Sequence, residues 1–168
     1  RCILNERNLI RIRADYPLSL HGVGMSLGSS DPIDRDHIGK LKRLIARVEP
    51  AQVSEHLCWS SVGGRNFNDL LPLPYNDEAL AHVCGHVARV QDLLGREIAF
   101  ENVSAYVAFP DATMTESEFV ASVARRTGCK TPHRPPGKTP RGETPWLMPS
   151  LLPPRAPRDS LIVRRTHP

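Results

Sequence analysis

A chain of 168 residues, 40% apolar and with a formal charge of +4, has room for one domain with a real core. No run of 18 apolar residues occurs, which excludes a transmembrane helix. The charge does not indicate a nucleic-acid face: residues 1–130 hold 15 Lys+Arg against 16 Asp+Glu, while residues 131–168 hold 7 against 2. Neither a nucleic-acid nor a membrane partner is therefore expected. Arg1-Cys2-Ile3-Leu4 runs into charged residues, so no secretory leader is expected either. Cys2, Cys58, Cys84 and Cys129 lie far apart with no Cys-x-x-Cys spacing, which speaks against a zinc cluster or disulfide framework and for a cytoplasmic location.

Residues 1–16 are charged and weakly periodic, with Leu9, Ile10 and Ile12 placed for the end of a helix. Pro17 opens a first strand over 17–22. Gly22-Val23-Gly24 and Gly28-Ser29-Ser30 then predict a loop with close backbone approach. Asp31-Pro32 predicts a helix start, with Asp as N-cap and Pro at the first helical position. Ile38, Leu41, Leu44, Ile45 and Val48 form its apolar stripe, and Pro50 stops it before a second strand at 52–58. The stretch with Gly63-Gly64 and Asp69-Leu70-Leu71-Pro72-Leu73-Pro74-Tyr75 reads as a loop. Asn76 caps the next helix, whose buried face is Leu80, Val83, Val87, Val90 and Leu94, with Gly95 as its end. A third strand is predicted at 96–101. Thr115 and Glu118 form a capping box before a third helix with Phe119, Val120 and Val123 facing inward, ended by Gly128.

The βαβαβα order predicts parallel strands with helices outside. The fold class is α/β: about three βα units of a partial (β/α)8 TIM barrel over residues 1–130. Residues 131–168 carry 10 of the 16 prolines without periodicity and predict a disordered Pro/Arg-rich tail. Such text fits out-of-frame translation of GC-rich DNA, so a frameshift or truncation is its expected origin. The first residue is not Met, and the chain is expected to begin inside a longer product.

The three strands share a design. Residues two apart in a strand share a face, so Ser19 and His21, Ser54 and His56, and Ala99 and Glu101 each put a small and a metal-capable residue on one side. Leu18 and Leu20, Val53 and Leu57, and Ile98 and Phe100 occupy the other. Strand ends carrying His, His and Glu predict a shared metal site at the C-terminal end of the sheet, where (β/α)-barrel enzymes work. Two imidazoles and a carboxylate suit a borderline divalent ion such as Fe(II). Glu55 faces away from His56 and reads as supporting or structural. Cys58 reads as a small buried hydrophobe beside the site, and Trp59 as packing. His82 and His86 have the i, i+4 spacing of a zinc pair, but Val83 stands where a metalloprotease helix has Glu; a surface helix accounts for both. Glu6, Glu97 and Glu116 read as solvated charges.

The strings His21-Gly22-Val23-Gly24-Met25-Ser26-Leu27-Gly28-Ser29, Val53-Ser54-Glu55-His56-Leu57-Cys58-Trp59, Asp69 to Tyr75, Leu94-Gly95-Arg96, Glu101-Asn102-Val103-Ser104-Ala105-Tyr106 and Arg126-Thr127-Gly128-Cys129 come in one order over about residues 8–129. Together they resemble the multinuclear non-haem iron-dependent oxidative enzymes, a family that includes the oxidase of methanobactin biosynthesis. The resemblance implies a TIM barrel holding two or three irons that oxidises cysteine-containing precursor peptides with dioxygen, helped by a partner protein that recognises the peptide. It implies His21, His56 and Glu101 as metal ligands. The family's later ligand strings, beginning with Asp-x-Asn-Asn, are absent, and its first two strands would precede residue 1. The resemblance thus covers roughly strands three to five of eight, an incomplete site.

Two alternatives stand beside this reading. One is a xylose-isomerase-like divalent-metal barrel, an isomerase or endonuclease that needs no dioxygen. The other is a non-catalytic truncated product that self-associates through open sheet edges.

Overall fold

The structure, a computed structural model, describes residues 6–103 and 106–130 and the backbone of 162–165. Its elements in order are α1 (Glu6–Asp15), β1 (Leu18–Gly22), α2 (Arg35–Val48), β2 (Gln52–Leu57), β3 (Trp59–Val62), β4 (Arg65–Leu71), α3 (Asp77–Leu94), β5 (Ala99–Asn102), α4 (Glu116–Thr127) and β6 (Ile162–Arg165). The main sheet has the order β5-β2-β1-β6; β1, β2 and β5 are parallel, and β6 runs antiparallel to β1. Helices connect the parallel strands, as parallel pairing demands.

The parallel strands are laid down in one direction without reversal. On the outer side of β5, Lys130 makes a parallel bridge with Ala99: its N–H donates to the Ile98 carbonyl at 3.1 Å, and its carbonyl accepts from Phe100 N–H at 3.0 Å. Parallel pairing thus continues past β5 at Lys130, the last residue described before the change of composition. This mixed α/β arrangement is compatible with a partial barrel, and among the described residues the sheet is open. No described helix is long and apolar enough to cross a membrane.

Alternation decides which face is buried. Along β2, Val53, Glu55 and Leu57 are buried while Gln52, Ser54 and His56 are partly exposed. The buried face, with Leu20, Ile98 and Phe100, packs on Val83, Val87 and Val90 of α3 and Phe119 and Val123 of α4. A second cluster, Leu9, Leu18 and Val48, seats α1 against the start of β1. Asn76 accepts from Ala79 N–H at the start of α3, and Thr115 and Glu118 form the expected capping box on α4. Gly95 and Gly128 close these helices.

Three features depart from the sequence reading. The stretch after β2 is a β3–β4 hairpin rather than a loop. Gly63 and Gly64, at φ of 58° and 71°, form its two-residue turn, a conformation that suits the strand twist and that side chains resist. Asp31 does not cap α2; Asp34 does, accepting from Asp36 and His37 N–H. The Asp31 carboxylate instead accepts the N–H groups of Gly63 and Gly64 at 2.7 and 3.0 Å, fastening the hairpin turn to the loop after β1. The third departure is β6. The expected tail disorder falls mostly on residues outside the described set, but Ile162–Arg165 forms a strand that occupies the β1 edge from Leu18 to His21. That edge is thus not open.

The loop after β1 is sewn down throughout. Ser26 Oγ accepts from Ser60 and Ser61 N–H, Gly28 N–H donates to the Cys58 carbonyl, and Ser29 Oγ donates to the Ser61 carbonyl. Beneath it lies the carboxylate of Glu55, 1% exposed on the helix side of the sheet. It accepts from His56 N–H at 2.8 Å, from Met25 N–H at 3.0 Å and from the Gly24 backbone. Burial pushes its pKa up to about 7, against the opposing pull of those N–H groups. Gly22 makes room for it: a Cβ there would lie 2.6 Å from Glu55 Oε2.

Two stability changes follow. Gly22→Ala forces the buried carboxylate aside and is expected to destabilise by about 1–3 kcal/mol, as overpacking does; an unchanged urea midpoint would contradict the packing described. Glu49 closes α2 at φ 47°, ahead of Pro50, which bars ordinary helical geometry there. Glu49→Gly is expected to raise stability by about 0.5–1 kcal/mol, read as a higher Tm.

Candidate metal centre

The parallel register puts the three sequence-predicted residues together, though not side by side. His56 is the direct partner of Glu101 across β2 and β5. His21 is not level with them: it partners Ser54, which in turn partners Ala99. The small-then-metal-capable pairs of β2 and β5 coincide, and that of β1 is offset by two residues. Such stagger is what strands wound toward a barrel show. The small side chains of Ser54 and Ala99 leave space over that row, and the His21 ring reaches through it toward the next.

The Nε2 atoms of His21 and His56 are 2.9 Å apart, with the rings edge to face at 84°. Glu101 Oε2 lies 3.8 Å from His21 Nε2. One ligand atom from each of the three residues falls within 4.8 Å of the others. The His21 side chain is 6% exposed and that of Glu101 42%, so the group is walled on the β1 side and reachable from the β5 side.

The donor set fits a metal. Two nitrogen ligands at about 2.0–2.1 Å from one ion, set roughly at right angles, stand about 2.9 Å apart. A hydrogen bond between two imidazoles uses the same distance, so the spacing admits either state. The half-exposed Glu101 carboxylate has the freedom to approach. Ser54 Oγ lies 2.8 Å from His21 Nδ1 and 3.5 Å from the Leu20 carbonyl. In the sequence Ser54 stands out only as a small residue, because its contact with His21 exists only through the stagger. Glu55, on the opposite face as expected, holds the backbone of His56.

The other candidates do different work. His82 Nε2 lies 2.6 Å from the Ser29 carbonyl, and His86 donates to the Leu27 backbone, so both pin the loop after β1. Cys58 is buried, and its thiol is pushed up to about 12 by burial and the nearby Glu55 and Asp69 charges, a neutral apolar group. Trp59 donates to the Pro72 carbonyl and packs edge to face on Phe67 within the hairpin. Asn102 Nδ2 donates to Glu116 Oε1 at 2.8 Å, tying the end of β5 to the first turn of α4, so Glu116 is more than a solvated charge. Glu6 pairs with Arg47 and Glu97 with Lys130 at the surface, where such pairs contribute little.

Comparison with known proteins extends this picture. Residues 4–131 match the model of the RiPP precursor modification enzyme family MbnB/TglH/ChrH. A UPF0276 protein of Paraburkholderia phytofirmans is 51% identical over 124 residues, covering 74% of this chain and 40% of the relative. Those of an Anaeromyxobacter species and of Rhizorhabdus wittichii are 52% and 54% identical over 121 residues, each alignment covering 72% of this chain and 43% of the relative. The chain thus spans about two fifths of the length of these relatives. With more than half of its residues matched in one continuous stretch, the chain belongs to the MbnB/TglH/ChrH family of RiPP precursor modification enzymes.

Proposed function

We propose that His21, His56 and Glu101 are iron ligands in an enzyme that oxidises a cysteine-containing precursor peptide with dioxygen, and that this chain carries part of the centre. The observation behind the proposal is the convergence of two imidazole nitrogens and a carboxylate at the C-terminal ends of three parallel strands. Strand C-termini are where (β/α)-barrel enzymes place their chemistry, and the single direction of strand addition supports a segment of such a barrel. Further ligands are assigned to parts the chain does not span, and recognition of the peptide to a separate partner protein.

Bound iron would supply dioxygen activation and an open position for the substrate thiolate. The chain's own residues do the rest. His21 and His56 offer neutral nitrogen donors from two adjacent strands, and the Glu101 carboxylate offsets cationic charge. Glu55 fixes the His56 backbone and the loop after His21 from behind.

The xylose-isomerase-like alternative, which takes Mg or Zn and needs no dioxygen, fits less well in its Mg form, since two imidazoles among three donors favour Fe or Zn over Mg. Anaerobic titration of the chain with Fe(II) is the test. His56→Ala, with an unchanged circular dichroism spectrum, is expected to weaken binding by at least about tenfold, the loss typical of disturbing a metal's ligand shell; equal affinity would remove His56 from the site. Excess Mg(II) is expected to leave bound Fe(II) in place, and displacement would favour the isomerase-like reading.

A further inference from the structure

We propose that Ser54 is a positioning residue that sets the ring tautomer of His21, an inference that rests on the metal-centre reading above. Ser54 Oγ has one proton and two neighbours. The Leu20 carbonyl, 3.5 Å away at the outer limit of a hydrogen bond, can only accept, and a hydroxyl proton turned toward it leaves Oγ free to accept in turn. His21 Nδ1, at 2.8 Å, is the closer neighbour, and with Nε2 needed as the ligand atom it is Nδ1 that carries the ring proton and donates to Oγ. A neutral imidazole protonated at Nδ1 bears its lone pair at Nε2, the atom that faces His56 Nε2 and Glu101. In the opposite tautomer Nε2 would hold a proton where a ligand atom is needed. A strand register thus becomes a chemical choice: β1 pairs His21 with Ser54, and Ser54 selects the nitrogen that is basic.

The substitution is small and the hydroxyl partly buried, so Ser54→Ala keeps the fold, and Ser54→Thr restores the oxygen. The ¹⁵N signals of the His21 ring in the metal-free 168-residue chain, recorded above neutral pH, read the tautomer directly. The wild type is expected to show an N–H-type Nδ1 and a lone-pair-type Nε2; Ser54→Ala shifts the population toward Nε2–H, and Ser54→Thr returns it. A wild-type ring protonated at Nε2, or signals unchanged in Ser54→Ala, would overturn the assignment. Titration with Fe(II) alone gives a second readout: Ser54→Ala is expected to bind about tenfold more weakly, with Thr rescuing. A wild type with the Nδ1–H ring that binds no Fe(II) would sink the metal centre while supporting the role of Ser54 in setting the tautomer.

Discussion

The two-residue offset between β1 and β2 governs what the site can be. Because His21 stands opposite Ser54 and not His56, its ring has a small neighbour on the β2 side and reaches across to the next row. Slipping β1 by one residue would turn His21 into the helix layer and bring Leu20 onto the site face. The register is held by burial: Leu18 and Leu20 are 1% and 0% exposed, and each is worth about 1.5–3 kcal/mol of transfer free energy that a slip would forfeit. Hydrophobic packing on one side of the sheet thereby fixes polar geometry on the other.

Glu55 carries the same coupling in the opposite direction. Desolvating a carboxylate beneath the helices is costly, and its convergent backbone donors from β2 and the loop after β1 offset that cost. The loop is held from above as well, by Ser26 and Ser29 against the hairpin and by His82 and His86 from α3. Asp31 completes the arrangement at the Gly63–Gly64 turn. Residues that look like scattered polar positions in the loop form one clamp around the exit of β1.

Much of this was legible in the sequence, and the unread part has a common cause. Helix ends are local, and Asn76, Thr115 with Glu118, Gly95 and Gly128 act as their side chains imply. Strand faces follow from period two, so the site face and the core face were separable before any pairing was known. Gly63-Gly64 between Trp59–Val62 and Arg65–Leu71 was a local hairpin signal read as mere looseness. Asp31 was ambiguous locally: Asp31-Pro32 has the chemistry of a helix start, but a second Asp three residues on takes that role and frees the first for a distant turn. The stagger, and with it the contact of Ser54 with His21, depends on how strands dock, which no single segment encodes. Pairing of β6 with β1 is likewise a long-range event that composition does not announce.

The chain belongs to a family of RiPP precursor modification enzymes, and the proposed function sets part of its centre at the three convergent side chains. The central claim is that the place is a metal site. Anomalous diffraction at the iron edge, from crystals of the chain grown anaerobically with Fe(II), tests it most directly. The account predicts a peak in bonding contact with His21 Nε2, His56 Nε2 and a Glu101 carboxylate oxygen. Well-ordered side chains with no peak among them, or iron bound only elsewhere, would contradict it.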